Sequence, residues 1–280
     1  MKRGIGVLMA AALVYGLLVG SASAQEKDVV IPLTLQDMSG KSNVNIALPM
    51  VPHDNFFGMS PRLSGQYGLG NMAFGLQVPL SMAFPDEGDT GFGLGNITLE
   101  GKFHQCTGGQ WAICYGGGLA LSAGFLEADE SEVRAAHMSG AVGHQSWTYH
   151  YYESLVIRPL GFVAITDGAI FGQAEFGAAI GIPIVNTDGK DSHEAAILWA
   201  FGAGYKLMDM IAPMIEFRGL SPVTEDGLDS YLWLNFGARF YFGSILPMVR
   251  LSIPLTDEAS LGGGGQSAPV QFELGCMFQF

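Results

Sequence analysis

The feature that most limits what this chain can fold into is an alternation of apolar and polar side chains, repeated many times between short glycine-rich breaks. A period of two means an extended strand with one apolar face. In "YLWLNFGARFYF", Leu232, Leu234, Phe236, Ala238, Phe240 and Phe242 share one face, and Trp233, Asn235, Gly237, Arg239 and Tyr241 share the other. "GNITLEGKFH" sets Ile97, Leu99, Gly101 and Phe103 against Asn96, Thr98, Glu100, Lys102 and His104. In "VQFELGCMFQF" every even position from Val270 to Phe280 is apolar. Chain ends are ordinarily frayed and polar unless tied down, so this last strand is expected to be paired to its end.

About twelve such segments occur, each long enough to cross a bilayer as a tilted strand. They are predicted at 43–51, 60–69, 72–84, 91–104, 111–125, 147–165, 169–184, 195–207, 210–221, 230–242, 246–256 and 268–280. The sixth loses its alternation near Glu153 and Arg158, which suggests a bulge. Composition makes the same point. Apolar residues are 49% of the chain and charged residues only 14%, against about a quarter in ordinary soluble domains. Beyond Ala24 no apolar run reaches the length of a spanning helix, and the 40 glycines break the runs that exist. In hydrocarbon every backbone N–H and C=O must be satisfied within the protein, which leaves helices and closed barrels. The expected fold is all-β, a transmembrane antiparallel up-and-down β-barrel of about twelve strands.

The N-terminus reads as an export signal. Lys2 and Arg3 precede the apolar stretch "IGVLMAAALVYGLLVG", and "SASAQ" supplies small residues at Ala22 and Ala24. Residues 1–24 are therefore expected to be a cleaved signal peptide. Residues 25–42, with Pro32 inside a short apolar run, are expected to form a periplasmic segment or a partial plug, and 43–280 the barrel.

The connections alternate in length. Short ones fall at 70–71, 106–110, 167–168, 208–209 and 243–244; long ones fall near 52–59, 85–90, 126–146, 185–194, 222–229 and 257–267. Outer-membrane barrels have short periplasmic turns and longer extracellular loops. The long connections hold most of the acids, including Asp86, Asp89, Glu127, Asp129, Glu130, Asp188, Asp191, Glu225, Asp226 and Asp257. The formal net charge is −13, and losing Lys2 and Arg3 makes it more negative, which argues against a nucleic-acid partner. The acidic rim reads as a solvated surface. Cation bridging to lipopolysaccharide, or a cation-concentrating vestibule, are the sharper alternatives.

If the apolar face meets lipid, the other face lines a lumen. That assigns Glu100, Lys102, Glu175, Lys206, Glu216, Arg218, Arg239, Arg250 and Glu273 to the interior as candidate selectivity residues, with Arg–carboxylate pairing expected among them. A wall of small residues, including Gly116, Gly118, Gly177, Ala200 and Gly204, faces bulkier Trp233 and Tyr241 and is expected to leave room in the lumen. Cys106 and Cys114 share the inward face across one turn. Export permits a disulfide between them if that turn is looser than a tight hairpin. Cys276 is expected to face lipid. The chain has no G-x-S-x-G, H-E-x-x-H or C-x-x-C, and its six histidines read as scattered surface groups, so no catalytic residue, metal or cofactor is assigned.

The terminal "VQFELGCMFQF" resembles the C-terminal signature of Gram-negative outer-membrane barrels. The resemblance implies that the barrel-assembly machinery reads this strand, with Phe278 and Phe280 as its signal. "GFGLGNITLEGKF" at 91–103 is similar to an element of the outer-membrane proteins of the MetA pathway of phenol degradation, relatives of hydrophobic-solute channels. It departs from their usual pattern at Asn96, where Asp is commoner, and at Phe103, where Tyr is. The resemblance covers one strand and its approach. The resulting expectation is a monomer in the Gram-negative outer membrane, in contact with lipid and lipopolysaccharide. Its expected task is passive passage of small molecules, hydrophobic or aromatic ones among them. The alternatives are a structural or surface-recognition barrel with a sealed lumen and, third, a membrane-embedded hydrolase.

Overall fold

In the computed structural model, described residues are 37, 40–53, 56–86, 88–107, 110–123, 154–183, 194–223, 230–256 and 270–280. The expected signal peptide, most of 25–42, most acids of the long connections, and His137, His144, His150 and His193 lie outside them. Twelve antiparallel strands form one closed barrel. They are β1 (Asn43–His53), β2 (Phe56–Met59 and Arg62–Leu69), β3 (Met72–Pro85), β4 (Gly91–Leu94 and Ile97–Cys106), β5 (Ala112–Ala123) and β6 (Ser154–Thr166). There follow β7 (Ile170–Pro183), β8 (Glu194–Tyr205), β9 (Ile211–Pro222), β10 (Tyr231–Phe240), β11 (Ile245–Pro254) and β12 (Gln271–Gln279). Each strand pairs with its sequence neighbours, and β12 closes on β1 from Asn43↔Gln279 to Met50↔Phe272. The Phe280 N–H donates to the Ser42 carbonyl at 3.0 Å, so the terminal strand is paired to its last residue.

Two strands are in pieces, for different reasons. In β2 both pieces keep one register against β1, with Met50↔Met59 and Ala47↔Arg62. Pro49, Pro61 and Pro79 crowd this point and cannot donate to the ladder. Ser60 N to Pro49 O at 3.0 Å and Leu80 N to Pro61 O at 2.8 Å carry the pairing through. In β4 the register changes. Leu94 pairs with Leu80 and Thr98 with Gln77, so β4 advances four residues while β3 advances three. The extra residue is a β-bulge at Gly95–Asn96, and it moves the inward face from odd to even positions.

Three sequence expectations are corrected. The connection expected at 52–59 is absorbed into β1 and β2, which run to His53 and start again at Phe56. No bulge occurs at Arg158: Ile157↔Ile180 and Leu160↔Gly177 are three steps apart on both strands. The ladder only skips Arg158 and Pro159, where the proline has no N–H to give. What disturbed the alternation there is that β6 turns the apolar Leu160 and Phe162 inward beside Arg158. The third correction concerns the small-residue wall and is given with the lumen below.

Outside, the strands present a continuous apolar surface. Phe74, Phe92, Leu121, Val163, Phe176, Phe201, Phe217, Phe236, Val249 and Phe272 are all exposed, with Phe176 at 65%. Among the described residues no second protein layer covers them. Cys276 lies on this face and is a free thiol. Inside, polar and charged side chains are buried.

Candidate functional site: the barrel lumen

Alternation delivers the charged groups to the interior. Glu100 and Lys102 point inward from β4, Glu175 from β7, Glu216 and Arg218 from β9, Arg239 from β10, Arg250 from β11 and Glu273 from β12. Lys206 follows β8 at the short-turn end. Five of them, Glu216, Arg218, Arg239, Arg250 and Glu273, look in sequence like one cluster on the last four strands. The structure divides them.

Glu273 is the hub of the first group. It accepts from Arg250, its direct register partner, and from Arg62 at 2.7 Å. Arg62 reaches it from β2 across β1, where the intervening inward residues are Ala47 and Pro49. Arg250 and Glu273 are both 3% exposed in their side chains, so this carboxylate is held by two guanidinium groups away from water. The second group is Arg218 with Glu175 at 3.9 Å, two strands apart. Ala200 stands between them in the register, and its single methyl leaves the gap they span. Gln173 Nε2 donates to Glu175 Oε1 at 3.0 Å. Glu216, wholly buried, lies opposite Asn235, which accepts from the Ser252 hydroxyl. Arg239 sits nearer the short turns and donates to Met248 Sδ at 3.5 Å. At that end Lys206 pairs with Asp209 at 3.3 Å and lies 4.9 Å from the Tyr241 ring centre. Lys102 Nζ donates to the Asp37 carbonyl at 2.6 Å.

The small-residue wall is a set of slots rather than open space. A Cβ on Gly204 would overlap Phe171 and Met214, and one on Gly116 would lie 2.7 Å from Phe162 Cε2. Phe162 and Phe171 are 6% and 3% exposed, so large inward side chains fill the volume their glycine neighbours leave. Toward the short turns Phe171, Met214 and Met248 pack with Tyr241, and Leu246 with Met277. Toward the long connections Leu198, Leu220, Tyr231 and Trp233 form an apolar patch facing the lumen, with the Tyr231 and Trp233 rings stacked at 6.1 Å.

Cys106 and Cys114 are direct register partners joined by a disulfide. Their turn, 107–111, has the expected five residues but lies one place further along than 106–110, because β4 runs through Cys106 and β5 starts at Ala112. Phe278 and Phe280 lie on the outer surface. Three lumen groups were not singled out from the sequence. Arg62 shares its parity with Ser64 and Gln66, a signal that was readable. Arg158 was masked by its apolar neighbours. Nothing in the sequence pointed to Asp37.

No protein-family model matches the sequence, and no curated protein does. Solved structures do resemble the fold. An outer-membrane channel from Pseudomonas putida superposes with a TM-score of 0.64 at 10% identity, covering 93% of this chain and 100% of that one. The NanC porin gives 0.55 at 10% identity over 85% of this chain and 100% of its own. The KdgM porin, solved with disordered oligogalacturonate, gives 0.50 at 10% identity over 85% of this chain and 99% of its own. The fold of this chain is that of the outer-membrane barrels.

Proposed function

We propose that this protein is an outer-membrane channel for the passive passage of small molecules, hydrophobic or aromatic ones among them. The observation that carries the reading is the division of surfaces: a continuous apolar exterior around an interior lined by buried arginines, carboxylates and amides. Hydrocarbon suits the first and a hydrated solute path suits the second. The neighbouring channel and porin structures support it at the level of fold. The inward patch supports an apolar or aromatic solute, because the part-exposed Leu198 and Tyr231 line the long-connection end over the buried Leu220 and Trp233, which set their positions. By the turn-length rule that end is extracellular and the short turns are periplasmic.

Two measurements test this. Purified protein in planar bilayers is expected to give discrete conductance steps. Proteoliposomes are expected to admit small aromatic solutes faster than sugars of equal size, and Trp233→Ala is expected to reduce that preference. Absence of both current and solute entry sinks the proposal. A second reading, a barrel with a sealed lumen and a structural or recognition role, is favoured by the tight burial of Glu216, Asn235 and Arg239. The same experiments separate the two.

A further inference from the structure

We infer that Asp37 and residues 40–42 form a built-in plug in the short-turn end of the lumen, held by Asp37, whose displacement widens the channel. The inference rests on the channel reading above.

The contacts come from several parts of the ring. Asn43 Nδ2 on β1 donates to Asp37 Oδ2 at 2.9 Å, and Lys102 Nζ on β4 donates to the Asp37 carbonyl at 2.6 Å. The Asp37 carboxylate is also within electrostatic reach of Arg239 on β10. In a twelve-strand ring β4 and β10 are six strands apart, on opposite walls. Its two hydrogen-bond partners, Asn43 and Lys102, stand three strands apart in the ring, so Asp37 bridges separate parts of the wall rather than following one strand. Lys102 and Arg239 are 7% and 2% exposed, so both cations at this level are buried.

Residues 40–42 are seated against β2. Gln66 Nε2 donates to the Lys41 carbonyl at 3.0 Å, and the Gly68 N–H donates to Ser42 Oγ at 3.1 Å. Gly40, at φ 66°, takes a left-handed turn that brings its carbonyl onto Gly68. A Cβ on Gly68 would overlap that carbonyl, and a Cβ on Gly40 would lie 2.9 Å from the Gly70 carbonyl and 3.1 Å from His104 Cε1. The bare faces of Gly40 and Gly68 are what allow the two segments to lie this close.

The decisive variant is Gly68→Ala. Gly68 faces the lumen and its φ is not in the left-handed region, so alanine suits the backbone. In an unplugged barrel an added methyl on the wall can only leave conductance unchanged or lower it. With the plug, the methyl expels residues 40–42, and a severalfold rise in single-channel conductance is expected. Asp37→Asn, which keeps the shape and removes the charge facing Arg239, is expected to give a smaller rise. A readout independent of current is tryptic cleavage of the folded full-length protein after Lys41. The Lys41 side chain is exposed, but the wild type is expected to resist because the backbone around that bond is pinned, with the Lys41 carbonyl accepting from Gln66, Ser42 Oγ from the Gly68 N–H and the Ser42 carbonyl from the Phe280 N–H; Gly68→Ala is expected to be cut. Heat-modifiable gel mobility reports that both variants retain the barrel. Equal cleavage after Lys41 in both proteins, or conductance of Gly68→Ala at or below wild type, overturns the plug. Protection lost in the variant while neither protein conducts leaves the plug standing and overturns the channel reading.

Discussion

At the scale of single residues the interior is governed by what a buried charge costs when its partner is removed. Glu273 serves two guanidinium groups at once, so its loss is not equivalent to the loss of either arginine. Glu273→Gln leaves Arg62 and Arg250 facing each other without the carboxylate they share. It is expected to destabilise the barrel by about 3–5 kcal/mol, the range for breaking a buried ion pair. Arg62→Gln leaves the Arg250–Glu273 pair intact and is expected to cost clearly less, since Arg62 keeps 16% of its side chain in contact with solvent. Urea titration of protein folded into lipid vesicles ranks the two, and equal costs would mean that Glu273 is not shared. Parity alone assigned Glu273, Arg250, Glu175 and Arg218 to the lumen from the sequence. Their pairing was not legible, because it depends on which strands lie two apart and on small residues such as Ala47 and Ala200 lying between. Asp37 was invisible for a different reason: it belongs to no strand, and only the closed ring gives it two parts of the wall to touch.

At the scale of the strand, register decides which side chains share space. Gly204 lies directly across from Phe171 on β7 and Met214 on β9, and its missing Cβ is what admits both. Gly204→Ala is expected to cost about 1–3 kcal/mol through overpacking. In a Phe171→Leu background, where the ring no longer fills the slot, most of that cost is expected to disappear. A double-mutant cycle with no coupling would show that the slot is not filled as described. The β4–β5 turn gives a second check. Its disulfide closes a short loop, so Cys106→Ser with Cys114→Ser is expected to lower stability by about 2–3 kcal/mol. The variant is expected to retain the barrel, because the ladder continues from Cys106↔Cys114 to Ile97↔Ala123. Strand positions were largely readable because period two persists wherever one face is greasy. The failures sit where that premise weakens. Near Arg158 the inward face carries Leu160 and Phe162, so both faces look apolar. At Gly95–Asn96 an inserted residue shifts parity next to glycines, which carry no side chain to report it.

At the scale of the whole molecule the question is what covers the outer surface, and depth answers it. A protein layer would contact the belt through particular side chains, so a buried charge would cost whatever the local fit dictates. A bilayer imposes a smooth profile, steep at its centre and shallow at its edges. Phe236 lies in the middle of β10, paired with Ile215 and Leu251, and is 40% exposed on the outer face. Phe242 follows the same strand at the short-turn rim, 55% exposed, beside the turn at Gly243. Both are phenylalanines on one outward row, which holds side-chain size and strand context nearly constant while changing depth. Phe236→Arg is expected to cost roughly 2–4 kcal/mol, and Phe242→Arg about 0–1 kcal/mol, in reversible folding into bilayers. Thinner bilayers bring the interface closer to position 236, so its cost is expected to fall with acyl-chain length while that at 242 stays flat. A cost at 236 that ignores bilayer thickness would mean that something other than lipid covers the belt, and the argument for a lumen, which rests on which face is the outer one, would lose its premise.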